Sequence, residues 1–334
     1  MKKQLKPIEP KPAWSVPLER ELAAAIKQVL YDPLTEEYET ATTNQSTTAL
    51  LDGLRKGKIS YTGTGFVAEK WNARLSRELK ELGATFDKKT QSWNLPVPRM
   101  PTELQLAVQA NQAMTKNLFQ KYMDILRDMP GAMMERVKAI DLGRFAAKTA
   151  DRTTQAFVQT VVKPMAVQPK LTPEQRIYVD QDYVETTTKP IRLTLDRSYY
   201  DNVNESMNYF AAEEVQKLRE MVEQHVFSGR PRAELIKKIN GRLHVGTSRA
   251  KFIARQETAL YTAKLKESQY RASRIEKYRW KTVGDGAVRH SHKVLNNRVF
   301  DWLNPPIIDS VTGRRGHPGE DFNCRCTASP IVEF

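Results

Sequence analysis

The stretch Tyr278-Arg279-Trp280-Lys281-Thr282-Val283-Gly284-Asp285-Gly286-Ala287-Val288-Arg289-His290-Ser291-His292 decides how the last third of this chain is read. Its first six residues alternate. Successive strand side chains point to opposite faces, so Tyr278, Trp280 and Thr282 share one face. Gly284-Asp285-Gly286 is a turn. Asp285, Val288, Arg289 and His292 follow at the spacing D-x-x-V-R-x-x-H. Taken as a helical turn and a half, that spacing puts Asp285, Arg289 and His292 on one face, with Asp285 as its cap. Downstream, residues 294–300 read as a hairpin around Asn296-Asn297. A loop with Pro305, Pro306, Gly313, Gly316, His317, Pro318 and Gly319 leads to Asp321-Phe322-Asn323-Cys324-Arg325-Cys326 and a closing strand through Ile331 and Val332.

Upstream, Arg232 to Leu243 reads as a short helix with Leu235, Ile236 and Ile239 inward. Gly246 and Thr247 read as a break, and a second helix is expected from about Ser248 to Ile275, carrying Arg255-Gln256-Glu257-Thr258. Arg255 and Glu257 are two residues apart and point to different sides of a helix. They cannot pair with each other, and each requires a partner elsewhere.

Arg255-Gln256-Glu257-Thr258, the Trp280 strand, D-x-x-V-R-x-x-H and the Gly/Pro loop ending in Asn323-Cys324-Arg325-Cys326 resemble, in that order, the phage Mu F-like head morphogenesis family over about residues 230–330. The chain departs from the family at Gln256, where Thr or Asn is more frequent, and at Asn297, where glycine is common. The resemblance implies a minor capsid protein that is not an enzyme. It implies contact with the phage portal protein, with major capsid or scaffolding proteins and with packaged genomic double-stranded DNA. It also implies a place inside the capsid of the virion, and in the host cytoplasm during assembly. A DNA-acting metal-dependent enzyme and a host-directed effector are the rival classes.

The preceding residues divide into three segments. Residues 1–57 hold an arm punctuated by Pro7, Pro10, Pro12 and Pro17, then a helix from Leu18 to Leu30. Residues 58–100 read as a β-α-β-β insert: a strand at residues 58–61, a helix from about Phe66 to Leu82 capped by Gly83, and a hairpin of residues 84–86 and 92–95. The insert is either an interaction module or a brace. Residues 101–229 read as helical, with the pattern from Glu103 to Val162 continuing beyond Pro130-Gly131 and a break at Pro164, Pro169 and Pro173. Residues 173–195 are ambiguous because of Thr186, Thr187 and Thr188, and a long helix follows from about Ser198 to Phe227. The fold class is therefore α+β: mainly helical, with the small insert and an α+β domain at residues 230–334.

No apolar run approaches the roughly 20 residues that span a bilayer, so no membrane partner is expected. The basic start has no apolar stretch behind it and is no secretory signal. Residues 230–334 hold 21 Lys and Arg against 10 Asp and Glu, a surplus of +11, whereas the first 229 hold 32 against 29. Such a basic segment either attracts DNA through its phosphates, without sequence preference, or is a solvated surface.

Cys324 and Cys326 are the two cysteines, separated by one residue and poorly spaced for a relaxed disulfide. With His292 and His317 they form a candidate zinc set, since zinc takes four nitrogen, sulfur or oxygen donors. The alternative is two reduced, buried thiols and no cofactor. Asp285 and His292 are the residues an enzymatic reading would use, with Arg289 on a phosphate, but no second acidic cluster or phosphate-binding loop accompanies them. The favoured reading is a structural polar cluster of Arg255, Glu257, Asp285, Arg289, His292, Cys324, Arg325 and Cys326. The loop from Asp301 to Asn323 has few large apolar residues, and polar bonds or a metal must hold it.

Overall fold

The structure, a computed structural model, describes residues 2–4, 16–40, 48–168 and 171–333. The chain forms two compact units, each built from separated segments. One contains Met1–Leu22, Lys138–Ser206 and Ala250–Phe334, and the other Ala23–Val137 and Met207–Arg249. Boundaries at residues 57, 100 and 229 therefore fall within a unit and not between units.

The α+β class, mainly helical, holds. Strand β1 (Lys2–Gln4) precedes a helical run of α1 (Val16–Ile26), a π-helical turn (Lys27–Tyr31) and α2 (Asp32–Thr40). The first helical region thus extends well past Leu30, with Leu30, Tyr31 and Leu34 buried. The rest of the expected proline-punctuated arm, residues 5–15, lies outside the described residues.

The insert differs from the sequence expectation. Helix α3 (Ala49–Arg55) leads to β2 (Ile59–Tyr61), β3 (Gly65–Ala68), α4 (Ala73–Glu81), β4 (Thr85–Asp87) and β5 (Ser92–Asn94). It is β-β-α-β-β, and the helix expected from Phe66 begins only at Ala73. Phe66 and Trp71 mimic helical spacing, but Phe66 pairs across the sheet with both Tyr61 and Trp93, and its ring is buried between them. Asn72 is the true helix start, its side chain accepting from the Leu75 N–H at 2.9 Å. The sheet order is β2-β3-β5-β4.

The expected break at Gly246 is absent, and the ambiguous segment is helical. Helix α5 (Thr102–Lys138) passes through Pro130, because Leu126, Met129, Met133 and Val137 keep one buried stripe across it. Helices α6 (Leu142–Phe157), α7 (Lys163–Ala166) and α8 (Pro173–Ile177) precede α9 (Gln181–Phe227), which absorbs the three threonines and Pro190. Asp180 caps it by accepting from Tyr183 N–H, and buried Thr188 bonds back to the Val184 carbonyl at 2.8 Å. Helix α10 (Arg232–Ala272) is continuous through Gly246.

Gly246 serves close packing. A Cβ there would lie 2.5 Å from Ile26 Cγ2 and 3.2 Å from the Tyr31 ring. Tyr31 is itself pinned, its hydroxyl 2.9 Å from Glu214 Oε1 and 3.0 Å from the Arg242 carbonyl. Gly246→Ala is accordingly expected to destabilise the protein by about 1–3 kcal/mol through overpacking, although alanine is the better helix former. Equilibrium denaturation checks this, and a stabilised variant would refute it.

The last strands are β6 (Lys277–Lys281), β7 (Val299–Asp301) and β8 (Thr327–Glu333), with a single helical turn α11 (His290–Lys293) between β6 and β7. The sheet order is β1-β8-β6-β7, all antiparallel. Tyr278 and Trp280 bury one face of β6 against Tyr270, Leu295, Trp302, Ile308 and Ala328. The expected hairpin at 294–300 does not form. Residues 294–297 are a turn, β7 pairs with β6, and Asn297 N–H donates to the Trp280 carbonyl at 2.8 Å. Asn297 has φ 65°, a left-handed conformation that asparagine tolerates better than most residues.

Candidate functional site

Two segments converge beside β6: the turn of α11 and the loop that leads into β8. Arg289 is extended and precedes α11, which faces His292 inward and leaves it 2 % exposed. Cys324 and Cys326 are both buried, and their sulfurs lie 3.6 and 3.5 Å from His292 Nδ1. The opposite ring nitrogen, Nε2, is 3.2 Å from Asp321 Oδ2, close to the carboxylate but without the geometry of a good hydrogen bond.

Asp321 is the hub. Arg289 donates to its Oδ2 at 2.9 Å and to the Phe322 carbonyl at 2.6 Å, while Arg314 grips Oδ1. The Phe322 N–H adds a bond to Oδ1 at 2.9 Å. Burial pushes the Asp321 carboxyl up, but Arg314, the Phe322 N–H and the charge of Arg289 outweigh it and hold it below the ordinary carboxylate range. The two neighbouring thiols are pushed apart. Cys324 is drawn down by Cys326, by His292 and by the Cys326 N–H against its burial, while Cys326 is pushed up by Cys324 and by burial.

The expected placement of Asp285 is corrected. No helix forms from 285 to 289, because Asp285 spends its side chain on the turn, accepting from the Ala287 N–H at 3.1 Å. It is exposed and bonds Arg325 at 2.7 and 2.9 Å. It does not belong to the His292 group, whose ligand atoms all lie within 4.8 Å of one another. His317 stands outside that group too. Its Nδ1 lies 2.9 Å from the Tyr278 hydroxyl and its ring packs on Trp302 at 4.9 Å.

Arg255 and Glu257 have their partners elsewhere in the same unit: Arg255 bonds Glu19 at 3.1 Å, and Glu257 accepts from Asn202 at 3.0 Å. Burial raises the Glu257 carboxyl, and the Asn202 bond opposes the rise. Sequence reasoning missed Asp321 and Arg314 as site residues. It also missed Gln256, whose side chain accepts the Asn323 N–H, and Lys264, which forms an ion pair with Glu320. A signal for Asp321 existed: an Asp three residues before Cys324 in a loop short of apolar anchors.

The loop also needs Gly319. Its φ is +96°, and a Cβ would lie 2.9 Å from Ala263 Cβ on α10. Only glycine lets the loop lie this close to the helix while turning left-handed.

Residues 216–329 match the family of Phage Mu protein F like proteins. That Mu F-like segment includes every residue of the site. A relative, an uncharacterized protein of Haemophilus influenzae, is 29 % identical over 169 residues, covering 46 % of this chain and 36 % of that protein. The match thus spans little more than a third of the relative's length. No solved structure matches the chain. Among the described residues, no helix is long and apolar enough to cross a membrane.

Within the Mu F-like segment the two acids should behave differently. Asp321→Ala removes charge-assisted bonds from a buried centre and is expected to cost about 2–3 kcal/mol. Asp285→Ala, at an exposed pair, should leave the unfolding midpoint unchanged. Paired urea titrations check this, and equal effects of the two substitutions would contradict the assignment of Asp321 as hub.

Proposed function

We propose that this chain is a head morphogenesis protein of a tailed bacteriophage, a minor structural component that acts inside the capsid near the portal. The match of residues 216–329 to the Mu F-like family carries this reading. The site geometry supports it. The Arg289–Asp321–Arg314 grip binds a loop to a sheet, which is a structural task. The Asp285–His292 pair needed for metal-dependent phosphodiester cleavage is not assembled, since Asp285 is engaged by Arg325. Particle proteomics tests the role. The chain is expected in purified heads or in assembly intermediates, together with the portal and with major capsid or scaffolding proteins. Absence from both kinds of particle would refute it.

We further propose that the basic segment touches packaged DNA. Lys281, Lys293 and Arg298 surround the 294–297 turn, with Lys293 and Arg298 exposed. Such groups bind phosphates by releasing counterions, without regard to sequence. Duplex binding by the full chain is expected to weaken steeply with salt. A Lys281→Ala/Lys293→Ala/Arg298→Ala variant should lower the slope of log K against log salt by about one for each phosphate it no longer neutralises. Binding that ignores salt, or a slope unchanged in the variant, would contradict the proposal.

A further inference from the structure

We propose that His292, Cys324 and Cys326 bind a zinc ion, with Asp321 orienting the histidine from behind. The inference is independent of the role in the phage head. Its first support is distance. In a tetrahedral site with Zn–S of about 2.3 Å and Zn–N of about 2.0–2.1 Å, the N···S edge is about 3.6 Å. The two N···S separations are 3.6 and 3.5 Å, both from the same nitrogen, Nδ1. One imidazole nitrogen thus faces two sulfurs at the spacing that a common cation would set.

The second support is the far side of the ring. Metal-bound histidines usually turn their other nitrogen to a carboxylate or carbonyl, which sets the tautomer and strengthens the ligand. His292 Nε2 faces Asp321 Oδ2 at 3.2 Å, and Asp321 is itself held by Arg289 and Arg314. With Nδ1 on the metal, Nε2 carries the ring proton and lies beside this carboxylate.

Charge supplies the third support. Two thiolates in a buried site are costly without a cation. One divalent ion neutralises them, while the two arginines answer Asp321. The Cys324 sulfur also receives the Cys326 N–H at 3.4 Å, a bond that suits a thiolate better than a thiol.

The donor set selects the metal class. Two sulfurs and an imidazole suit zinc and disfavour magnesium and calcium, which take oxygen. Among the described residues no fourth His, Cys, Asp or Glu joins the group, and His317, the fourth ligand expected from sequence, is turned to Tyr278. Solvent would complete the coordination. A cavity of 20 Å³ borders both Cys324 and Cys326, and space of about 10–15 Å³ admits one water. With both thiols on the loop that leads into β8 and the histidine on α11, the ion would tie the end of the 301–326 loop to the helical turn ahead of β7.

The test uses the full chain, purified after expression with added zinc. Elemental analysis is expected to give one zinc per chain. After removal of zinc and addition of cobalt, intense thiolate-to-cobalt charge-transfer bands and the visible bands of four-coordinate cobalt should appear. Cys324→Ser/Cys326→Ser should abolish them, and His317→Ala should keep both the bands and the stoichiometry. Asp321→Asn retains all three ligands and should weaken zinc affinity about 10–100-fold. If the double serine variant fails to fold, the wild-type cobalt spectrum and the Asp321→Asn titration decide. Wild-type protein that gives no thiolate–cobalt bands and takes up no stoichiometric zinc overturns the site. Loss of zinc in His317→Ala with an intact fold overturns the ligand set.

Discussion

A carboxylate taken out of water must be repaid by donors arranged around it, and Asp321 is where this protein meets that demand. The loop between β7 and β8 anchors itself in the core through Trp302 at its start and Ile308, while Leu303, Val311 and Phe322 are exposed and its far end holds no large buried apolar side chain. Arg289 comes from beside α11, Arg314 from mid-loop, and the Phe322 N–H from the neighbouring residue. One buried acid therefore joins chain segments that hydrophobic burial alone would leave loose. The positions of His292 and the thiols follow, because Asp321 sits directly behind the imidazole.

The other unit uses the same device with different residues. Glu214 on α9 is 1 % exposed and is met by Arg242 through both oxygens and by the Tyr31 hydroxyl. Arg242 is one helical turn before Gly246, where α10 has no side chain and Tyr31 closes in. The buried pair and the small residue act together. The glycine permits the approach, and the ion pair gives the approaching tyrosine a fixed hydrogen-bond partner.

Much of this is legible in the sequence, and the exceptions have physical causes. Alternation at Tyr278 and Trp280 announces β6 because a half-buried strand must show period two. Helical spacing announces the long helices, but Gly246 suggests a stop that does not occur. Local propensity is a weak force, and a buried stripe running through the position overrides it. Strand β3 is hidden because its evidence is non-local: Phe66 faces Tyr61 and Trp93, and nothing within one helical turn reveals that pairing. In the site, the chemical types are legible, and the choice of acid is not. Asp285 lies closer to His292 in sequence, yet its side chain closes its own turn, whereas Asp321 arrives from a distant loop.

The pairing of β1 with β8 sets Lys2 opposite Glu333, so two strands far apart in the chain lie side by side in one sheet. Closing so long a loop is entropically expensive, and ladders of this kind form slowly, after local helices have already appeared. During synthesis β1 leaves the ribosome long before β8, the strand it pairs with. Until β8 emerges, the early strand has no native neighbour and is exposed to other partners. Completion of this sheet is therefore held back until β8 has been made, and of its four strands β1 waits longest for its partner.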